Sequence, residues 1–89
     1  MAKVQTPCIG VCKFKRRGPA GDHCIGCSMT KDQKKLSKKI DKPTAMAGFV
    51  ALVMAQQSQM GRYAHWRIAY LNRAVRKGRK VPDVVRKAN

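Results

Sequence analysis

Two short segments decide the fold of the N-terminal part of the chain: CIGVC at residues 8–12 and CIGC at residues 24–27. Both begin with the same Cys-Ile-Gly tripeptide, and together they contain all four cysteines. A thiolate pair needs a tight turn for both sulfurs to reach one ion, and glycine permits the positive φ that directs backbone N–H groups towards the sulfurs. The spacing therefore predicts a metal site whose four ligands are Cys8, Cys12, Cys24 and Cys27.

The expected cellular compartment favours a metal site over disulfides. The N-terminus shows no apolar signal-peptide region, so we expect a cytoplasmic protein with reduced cysteines. The longest apolar run, residues 45–55, is shorter than the roughly 20 residues that a membrane helix needs, and no membrane partner is expected. Residues 1–29 have too few apolar residues, without helical or strand period, to be held by burial. A disulfide pair and free buried thiols are the alternatives.

The ligand set alone does not identify the metal. A closed tetrathiolate zinc site supplies folding free energy, about 10–16 kcal/mol in small zinc modules at pH 7. Iron–sulfur clusters also take four cysteines, but the paired spacing differs from common ferredoxin patterns and is more typical of a zinc knuckle or ribbon. Zn²⁺ is the predicted cofactor, with an iron–sulfur cluster as the alternative. His23 is a candidate substitute ligand, although next to Cys24 an exposed loop position is the more common role.

A longer pattern surrounds the cysteines: TPCIGVCK at residues 6–13, CIGC at residues 24–27, and then Thr30. This pattern resembles a family of small bacterial proteins of unknown function that are often labelled predicted iron–sulfur proteins. The resemblance covers about residues 5–40. Family members usually continue with a Glu-Ile…Trp pattern, whereas this chain has DQKKL at residues 32–36. The resemblance implies the same four ligands and places the iron–sulfur alternative near parity with zinc.

Residues 30–77 are predicted to be helical. The three expected helices span about residues 31–40, 43–60 and 62–77. Thr30 with Gln33 fits a capping box before the first helix, and Gly78 fits a left-handed C-cap after the third. The second helix is apolar nearly all round, so we expect it to be the core helix.

Helical periodicity also predicts which faces are buried. In the second helix, Gly48, Ala51 and Ala55 form a small-residue face suited to close helix contact. In the third, the expected apolar arc consists of Tyr63, Ala64, Ile68, Tyr70, Leu71, Ala74 and Val75. Two side chains break this pattern: Trp66 falls in the basic arc, while Arg67 falls in the apolar arc. We expect Arg67 to lie along the apolar surface or to pair with Asp41 or Asp83.

The predicted fold is small and mainly α: an N-terminal metal-stapled four-cysteine knuckle or ribbon, about three helices and a basic tail. The length of 89 residues fits one domain. Residues 1–29 are assigned to the metal-binding segment, and residues 30–77 to a helical region packed with it as one domain. Residues 78–89 form the basic C-terminal tail, which we expect to be frayed because it has little to bury.

Charge is the second signal in the sequence. The chain has 20 Lys and Arg against 4 Asp and Glu, a formal net charge of +16. Such an excess causes self-repulsion unless counter-charges are present, and polyanions are common partners. The cations are concentrated between the cysteine segments, along the first helix, and on the third helix and tail. The candidate nucleic-acid-binding residues are Lys13, Lys15, Arg16, Arg17, Lys31, Lys34, Lys35, Lys38, Lys39, Arg62, Trp66, Arg73, Arg76, Lys77, Arg79 and Lys80.

These cations predict binding to nucleic acid, with RNA favoured over DNA. Phosphate contacts position a protein without reading sequence, and neither a helix-turn-helix nor a finger pattern is visible. Structured RNA, ribosomal RNA included, can be recognised through its backbone and shape. Trp66 beside Arg73 and Lys77 is a candidate for base stacking, with a place at the edge of the core as the more common alternative. The bland alternative for the cations is a solvated surface.

No enzymatic activity is expected. The four acidic residues are scattered, without paired carboxylates, and the chain has no phosphate loop or Ser–His–Asp set. Two other functions stay open. One is a small iron–sulfur protein in electron transfer or redox sensing, whose basic surface would dock an acidic partner. The other is a protein–protein adaptor for an acidic partner that uses the apolar second helix.

Overall fold

The structure is a computed structural model that describes residues 3–11, 13–18 and 21–86. Within these ranges the chain forms a two-stranded antiparallel hairpin followed by four helices. The elements are β1 (Phe14–Gly18), β2 (Gly21–Cys24), α1 (Lys31–Ser37), α2 (Pro43–Met60), α3 (Trp66–Lys77) and α4 (Asp83–Arg86). The Cα radius of gyration is 12.0 Å, which is the size of one compact unit of this length.

The predicted N-terminal fold, a metal-stapled four-cysteine knuckle or ribbon, is wrong. Between the two cysteine turns the chain forms the β1–β2 hairpin, in which Phe14 pairs with Cys24 and Gly18 pairs with Gly21. Among the described residues, no group of three or more His, Cys, Asp or Glu side chains is placed to hold a metal ion. Backbone pairing and burial hold the segment instead, since Cys24 and Met29 are each only 1% exposed and are joined by a backbone hydrogen bond of 2.8 Å.

The capping box before α1 is confirmed. Thr30 Oγ1 accepts a hydrogen bond from the Gln33 backbone N–H at 3.2 Å, and Gln33 Oε1 accepts from the Thr30 N–H at 3.0 Å. The helix ends at Ser37, earlier than expected, and Lys38 is its C-cap. The Gln33 amide also exchanges hydrogen bonds with Gln56, which ties the start of α1 to α2.

Helix α2 has the predicted bounds and supplies much of the core. Its buried residues are Met46, Phe49, Val50, Val53 and Gln57. The prediction of a small-residue contact face is wrong, because Gly48 and Ala55 are exposed and nothing lies within 4 Å of a Cβ built at Gly48. Burial of the larger apolar side chains contributes more free energy, so the small side chains are left facing solvent.

Helix α3 begins at Trp66, and the preceding residues form a turn in which the Trp66 N–H donates to Tyr63 O at 3.0 Å. Its buried residues are Trp66, Tyr70 and Ala74, at i, i+4 and i+8. The predicted apolar arc is confirmed at Tyr70 and Ala74, which are buried, and is wrong at Ile68 and Val75, which are 61% and 80% exposed. The helix is therefore rotated relative to its apolar periodicity.

Two hydrogen bonds explain this rotation of α3. Trp66 Nε1 donates to Pro7 O at 3.0 Å, and the Tyr70 hydroxyl donates to Gln5 O at 2.5 Å. Both aromatic side chains are fully buried and their rings are 5.1 Å apart between centroids. A large aromatic side chain with a polar atom is buried at low cost when that atom has a hydrogen-bond partner. Trp66 and Tyr70 have such partners, and these larger side chains are buried in place of Ile68 and Val75.

The expectation of a frayed C-terminal tail is wrong for residues 79–86. The Lys80 N–H donates to Lys3 O at 2.8 Å, and Lys80 O accepts from the Gln5 N–H at 3.0 Å, so Val4 and Lys80 form a parallel bridge. Beyond this bridge, α4 places Val85 in the core with no exposed surface. The expectation for residues 87–89 lies outside the described residues.

Arg67 holds α4 in place and forms neither of the predicted ion pairs with Asp41 and Asp83. Its Nε donates to Val85 O at 2.9 Å and its Nη2 donates to Arg86 O at 3.0 Å. These carbonyls lie at the C-terminal end of α4, where a cation is favourable.

Gly78 is a sharp test of the α3 terminus. It adopts φ 65 and ψ 34, the left-handed conformation predicted for the cap. We expect Gly78→Ala to lower the free energy of unfolding by about 1 kcal/mol, because a Cβ is unfavourable at this φ. Gly48→Ala is the matched control within a helix, and we expect it to raise the free energy of unfolding by up to about 1 kcal/mol. Urea unfolding followed by circular dichroism measures both, and changes of the same sign would contradict this account.

Tyr70 makes stability depend on pH in the alkaline range. Burial raises the pKa of Tyr70 above its ordinary value of 10.0. Because the unfolded chain ionises first, the contribution is complete below pH 10.0 and is lost as the pH rises further. We expect the free energy of unfolding to fall less steeply above this pH in Tyr70→Phe than in the unmodified chain. Tyr63→Phe is the control, and an equal alkaline slope in all three proteins would contradict the assignment.

Candidate functional site

A cleft of about 500 Å³ lies between the N-terminal segment, α1 and the C-terminal half of α3. Six cations and one acid, Asp41, are among its lining residues. We call this surface the basic cleft and define it by its cations Lys3, Lys34, Lys38, Arg73, Lys77 and Arg79. The fold thus brings cations from four separate parts of the chain to one concave surface.

Helical spacing explains most of this arrangement. Lys34 and Lys38 are four residues apart on α1 and its C-cap, and Arg73 and Lys77 are four residues apart on α3, so each pair projects from one helix face. Lys3 joins them because of the backbone bond to Lys80. Two of the three basic surfaces predicted from the sequence therefore meet across the cleft.

Arg73 is the most constrained cation of the basic cleft. Its side chain is half-buried, and its Nε is buried with no hydrogen-bond partner among the described residues. Its guanidinium lies against Gly10, where a Cβ would be 2.9 Å from Nη1. Gly10, at φ +92, thus gives Arg73 the space that a side chain would fill. This contact joins the basic cleft to the first cysteine turn, and Cys8 itself is a lining residue.

The cations of the cleft repel one another. The Arg73 guanidinium is the largest influence on Lys77 and lowers its pKa below the usual lysine value. Partial desolvation and the charges of Arg79 and Arg76 act in the same direction, while Cys8 acts in the opposite one. Positive charge is therefore concentrated around the exposed Lys77 ammonium, and an anion in the cleft would relieve the repulsion.

The remaining predicted cations lie outside the lining of the basic cleft. Those on the described surface are Lys13, Lys15, Arg17, Lys31, Lys35, Lys39, Arg62, Arg76 and Lys80. Arg16 has a structural role, because its Nη1 donates to Met60 O at the C-terminal end of α2 and its guanidinium contacts Gly61. Its predicted role as a phosphate contact is therefore not supported by its placement.

Trp66 is not available to stack on a base. It has no exposed surface, and its indole N–H is used by Pro7 O. The guanidinium of Arg62 lies over its ring at 5.6 Å from the centroid. The prediction that Trp66 contacts nucleic acid is therefore wrong, and the tryptophan is a core residue.

Sequence reasoning missed Lys3 and Asp41 as residues of the cleft. Lys3 is an isolated cation near the N-terminus, and only the bridge between Val4 and Lys80 brings it next to α3. Asp41 lies in the connection after α1, where the sequence offered it as a candidate partner of Arg67. No local pattern marks either residue, because both positions depend on tertiary pairing.

The two cysteine turns share one local geometry. The Gly10 N–H donates to Cys8 Sγ at 3.4 Å, and the Gly26 N–H donates to Cys24 Sγ at 3.4 Å. The predicted direction of the backbone N–H groups is therefore confirmed in both turns. The positive φ is found at Gly10 in the first turn, whereas in the second it is found at Ser28, φ 73.

The thiols of the second turn differ in acidity. Burial raises the pKa of Cys27 to about 12. Burial also acts to raise the pKa of Cys24, but backbone hydrogen bonds from Cys27, Gly26 and Lys13 outweigh it and lower that pKa below its ordinary value. When protonated, the Cys24 thiol donates to Val11 O at 3.0 Å. Cys24 is thus the thiol of this pair that ionises first.

The described residues do not assemble a complete metal centre. Cys8, Cys24 and Cys27 are placed by the structure, but Cys12 lies outside the described residues. His23 is buried and not exposed. Its Nδ1–H donates to Ser28 O at 2.7 Å, which links β2 to the turn that follows it. Zinc and the iron–sulfur cluster both stay predictions from the sequence.

None of the helices in the described ranges is long and apolar enough to cross a bilayer.

Comparisons with known proteins give no match: no family model, no curated protein and no solved structure is matched by this chain. The resemblance of residues 5–40 to the four-cysteine family therefore stays a prediction. A functional assignment must rest on the chemistry of the chain's own surfaces.

Elemental analysis tests the cysteine prediction directly. If the four cysteines bind a metal as the sequence predicts, the purified protein contains stoichiometric zinc without colour or iron with acid-labile sulfide and visible absorption. Cys24→Ser should lose the metal, while Ser58→Ala, on the exposed side of α2, should retain it. A folded, anaerobically purified protein that contains neither metal would contradict the prediction.

Proposed function

We propose that this protein is a non-enzymatic nucleic-acid-binding protein that holds structured RNA through the basic cleft. The observation that carries the proposal is the convergence of six cations, with one carboxylate, on a single concave surface. A dispersed set of lysines would indicate only solubility, whereas a concave group of cations concentrates positive potential where a polyanion can approach.

Exposed cations extend the footprint beyond the cleft. Lys31, Lys35 and Lys39 are exposed on the same helix and C-terminal turn that supply Lys34 and Lys38, and Arg76 is exposed beside Lys77. Neutralising several backbone phosphates together releases condensed counterions, which is the main source of sequence-independent affinity. These exposed cations on α1 and α3 therefore support binding along a phosphate backbone.

The side chains favour recognition of backbone and shape over recognition of base sequence. Trp66 and Tyr70 are fully buried, so neither offers a stacking surface to a base. Lysine and arginine contacts to phosphates position a protein without carrying sequence information. Structured RNA is commonly bound in this manner, and for this reason it is the proposed partner.

An acidic protein could also bind to cations of this kind. The cleft does not favour that partner, since its apolar lining residues Val4, Ile40 and Met46 are buried or half-buried and form no exposed apolar centre of the kind that anchors protein interfaces. An iron–sulfur role in electron transfer likewise rests on the cysteines and not on the cleft. Both alternatives are separated from RNA binding by the experiment below.

A matched pair of variants tests the role of the cleft. Lys38→Gln/Lys77→Gln removes two lining cations, and Lys39→Gln/Arg76→Gln removes two neighbouring cations outside the lining. We expect the first variant to weaken binding to a structured RNA more than the second. Its log–log salt slope should become shallower by about 1.8 if both contacts are to duplex phosphates. Fluorescence anisotropy across a salt series measures both quantities.

Two results would contradict the proposal. Equal losses in the two variants would show that net charge matters and the cleft does not. Absence of salt-dependent RNA binding, together with nuclease-resistant association with an acidic protein, would favour the adaptor function.

A further inference from the structure

The dimensions of the basic cleft limit what can enter it. Its volume of about 500 Å³ falls within the range of small-ligand sites, roughly 300–1,000 Å³. A site of this size holds a group of nucleotide dimensions and not a double helix. Structured RNA on the surrounding basic surface would therefore reach into the cleft only with an unpaired nucleotide or with the end of a strand.

Charge distinguishes these two possibilities. An internal phosphodiester carries one negative charge, whereas a terminal phosphate monoester carries about −1.5 to −2 at pH 7 and offers three strong acceptor oxygens. The lining of the cleft combines six cations from four parts of the chain with one carboxylate, Asp41. A doubly charged group matches this concentration of charge better than a singly charged one.

Arg73 supplies a direction to the site. Its guanidinium is fixed against Gly10, and its buried Nε lacks a hydrogen-bond partner among the described residues. Guanidinium groups bind phosphate oxygens through two parallel N–H donors, which lysine cannot do. A phosphate that engages the Arg73 fork through a small side-chain shift would also have the Lys77 ammonium nearby, one helical turn further along α3.

We propose that the basic cleft binds the terminal phosphate of a nucleic-acid strand. This inference rests on the proposed function and names the chemical group that the site accepts, a phosphate monoester at a strand end. The flanking cations on α1 and α3 hold the adjoining backbone, while Arg73 and Lys77 hold the terminal group. Inorganic phosphate and nucleoside monophosphates share the terminal chemistry but lack the adjoining backbone.

The test compares short single-stranded RNAs of one sequence that carry a 5′-phosphate, a 3′-phosphate or hydroxyls at both ends. Binding to the full-length protein is measured by fluorescence anisotropy with the label placed internally. We expect at least one phosphorylated end to bind about tenfold more tightly than the unphosphorylated strand. Equal binding of all three would overturn the terminal-phosphate proposal while leaving the proposed RNA binding intact. If none of the three strands binds and a structured RNA does not bind either, the proposed function itself is wrong.

Variants identify the residues that recognise the terminal group. Arg73→Lys keeps the charge but loses the guanidinium fork, so the preference for a phosphorylated end should fall while the salt slope stays nearly unchanged. If circular dichroism shows that Arg73→Lys does not fold, Lys77→Gln, at an exposed position, takes its place. The preference for a phosphorylated end should fall in this variant as well. Arg76→Gln is the neighbouring control and should retain the preference. An unchanged preference in folded Arg73→Lys and in Lys77→Gln would overturn the assignment.

Competition separates a strand end from a free phosphate. Inorganic phosphate and a nucleoside 5′-monophosphate are titrated against the labelled 5′-phosphorylated RNA at constant ionic strength. We expect both to compete only at concentrations far above those of unlabelled phosphorylated RNA, because they lack the backbone contacts. Displacement by inorganic phosphate at the same concentration as by RNA would overturn the strand-end proposal and identify a free-phosphate site.

Discussion

The two hydrogen bonds from α3 to the N-terminal segment are the constraint on which the rest of the structure depends. Trp66 and Tyr70 donate to the carbonyls of Pro7 and Gln5, and both rings are completely buried. An unpaired indole N–H or phenol in this position would carry a desolvation penalty of about 1–3 kcal/mol. Satisfying both donors fixes the rotation of α3 and also the path of the segment that carries the first cysteine turn.

That rotation determines where the charge is displayed. With Trp66 and Tyr70 facing the core, Arg73 and Lys77 are directed to the side of α3 that faces the N-terminal segment and α1. The opposite choice, in which Ile68 and Val75 are buried, would move these cations away from Lys34 and Lys38 and divide the cleft. Core packing of two aromatic side chains thus determines the electrostatics of a surface that they do not touch.

Local signals in the sequence predicted local structure well. The capping box at Thr30, the bounds of α2 and the left-handed cap at Gly78 all follow from neighbouring residues. The hairpin was missed because its strands, FKRRG and GDHC, have few apolar residues and no alternation of apolar with polar residues. The face of α3 was misjudged because periodicity counts Trp66 by its position on the wheel, whereas its burial depends on a carbonyl far away in sequence. Three basic surfaces were predicted, but the meeting of two of them depends on tertiary contacts.

Gly10 connects the two features that dominated the sequence, the cysteines and the charge. Its N–H donates to Cys8 Sγ, and the absence of a side chain at the same residue makes room for the Arg73 guanidinium. The glycine that shapes the first cysteine turn is thus also a wall of the basic cleft. A change in the geometry of this turn would alter the space that Arg73 occupies, because a Cβ at Gly10 would lie only 2.9 Å from its Nη1. The cysteine turn and the cleft are therefore coupled through the one residue that they share.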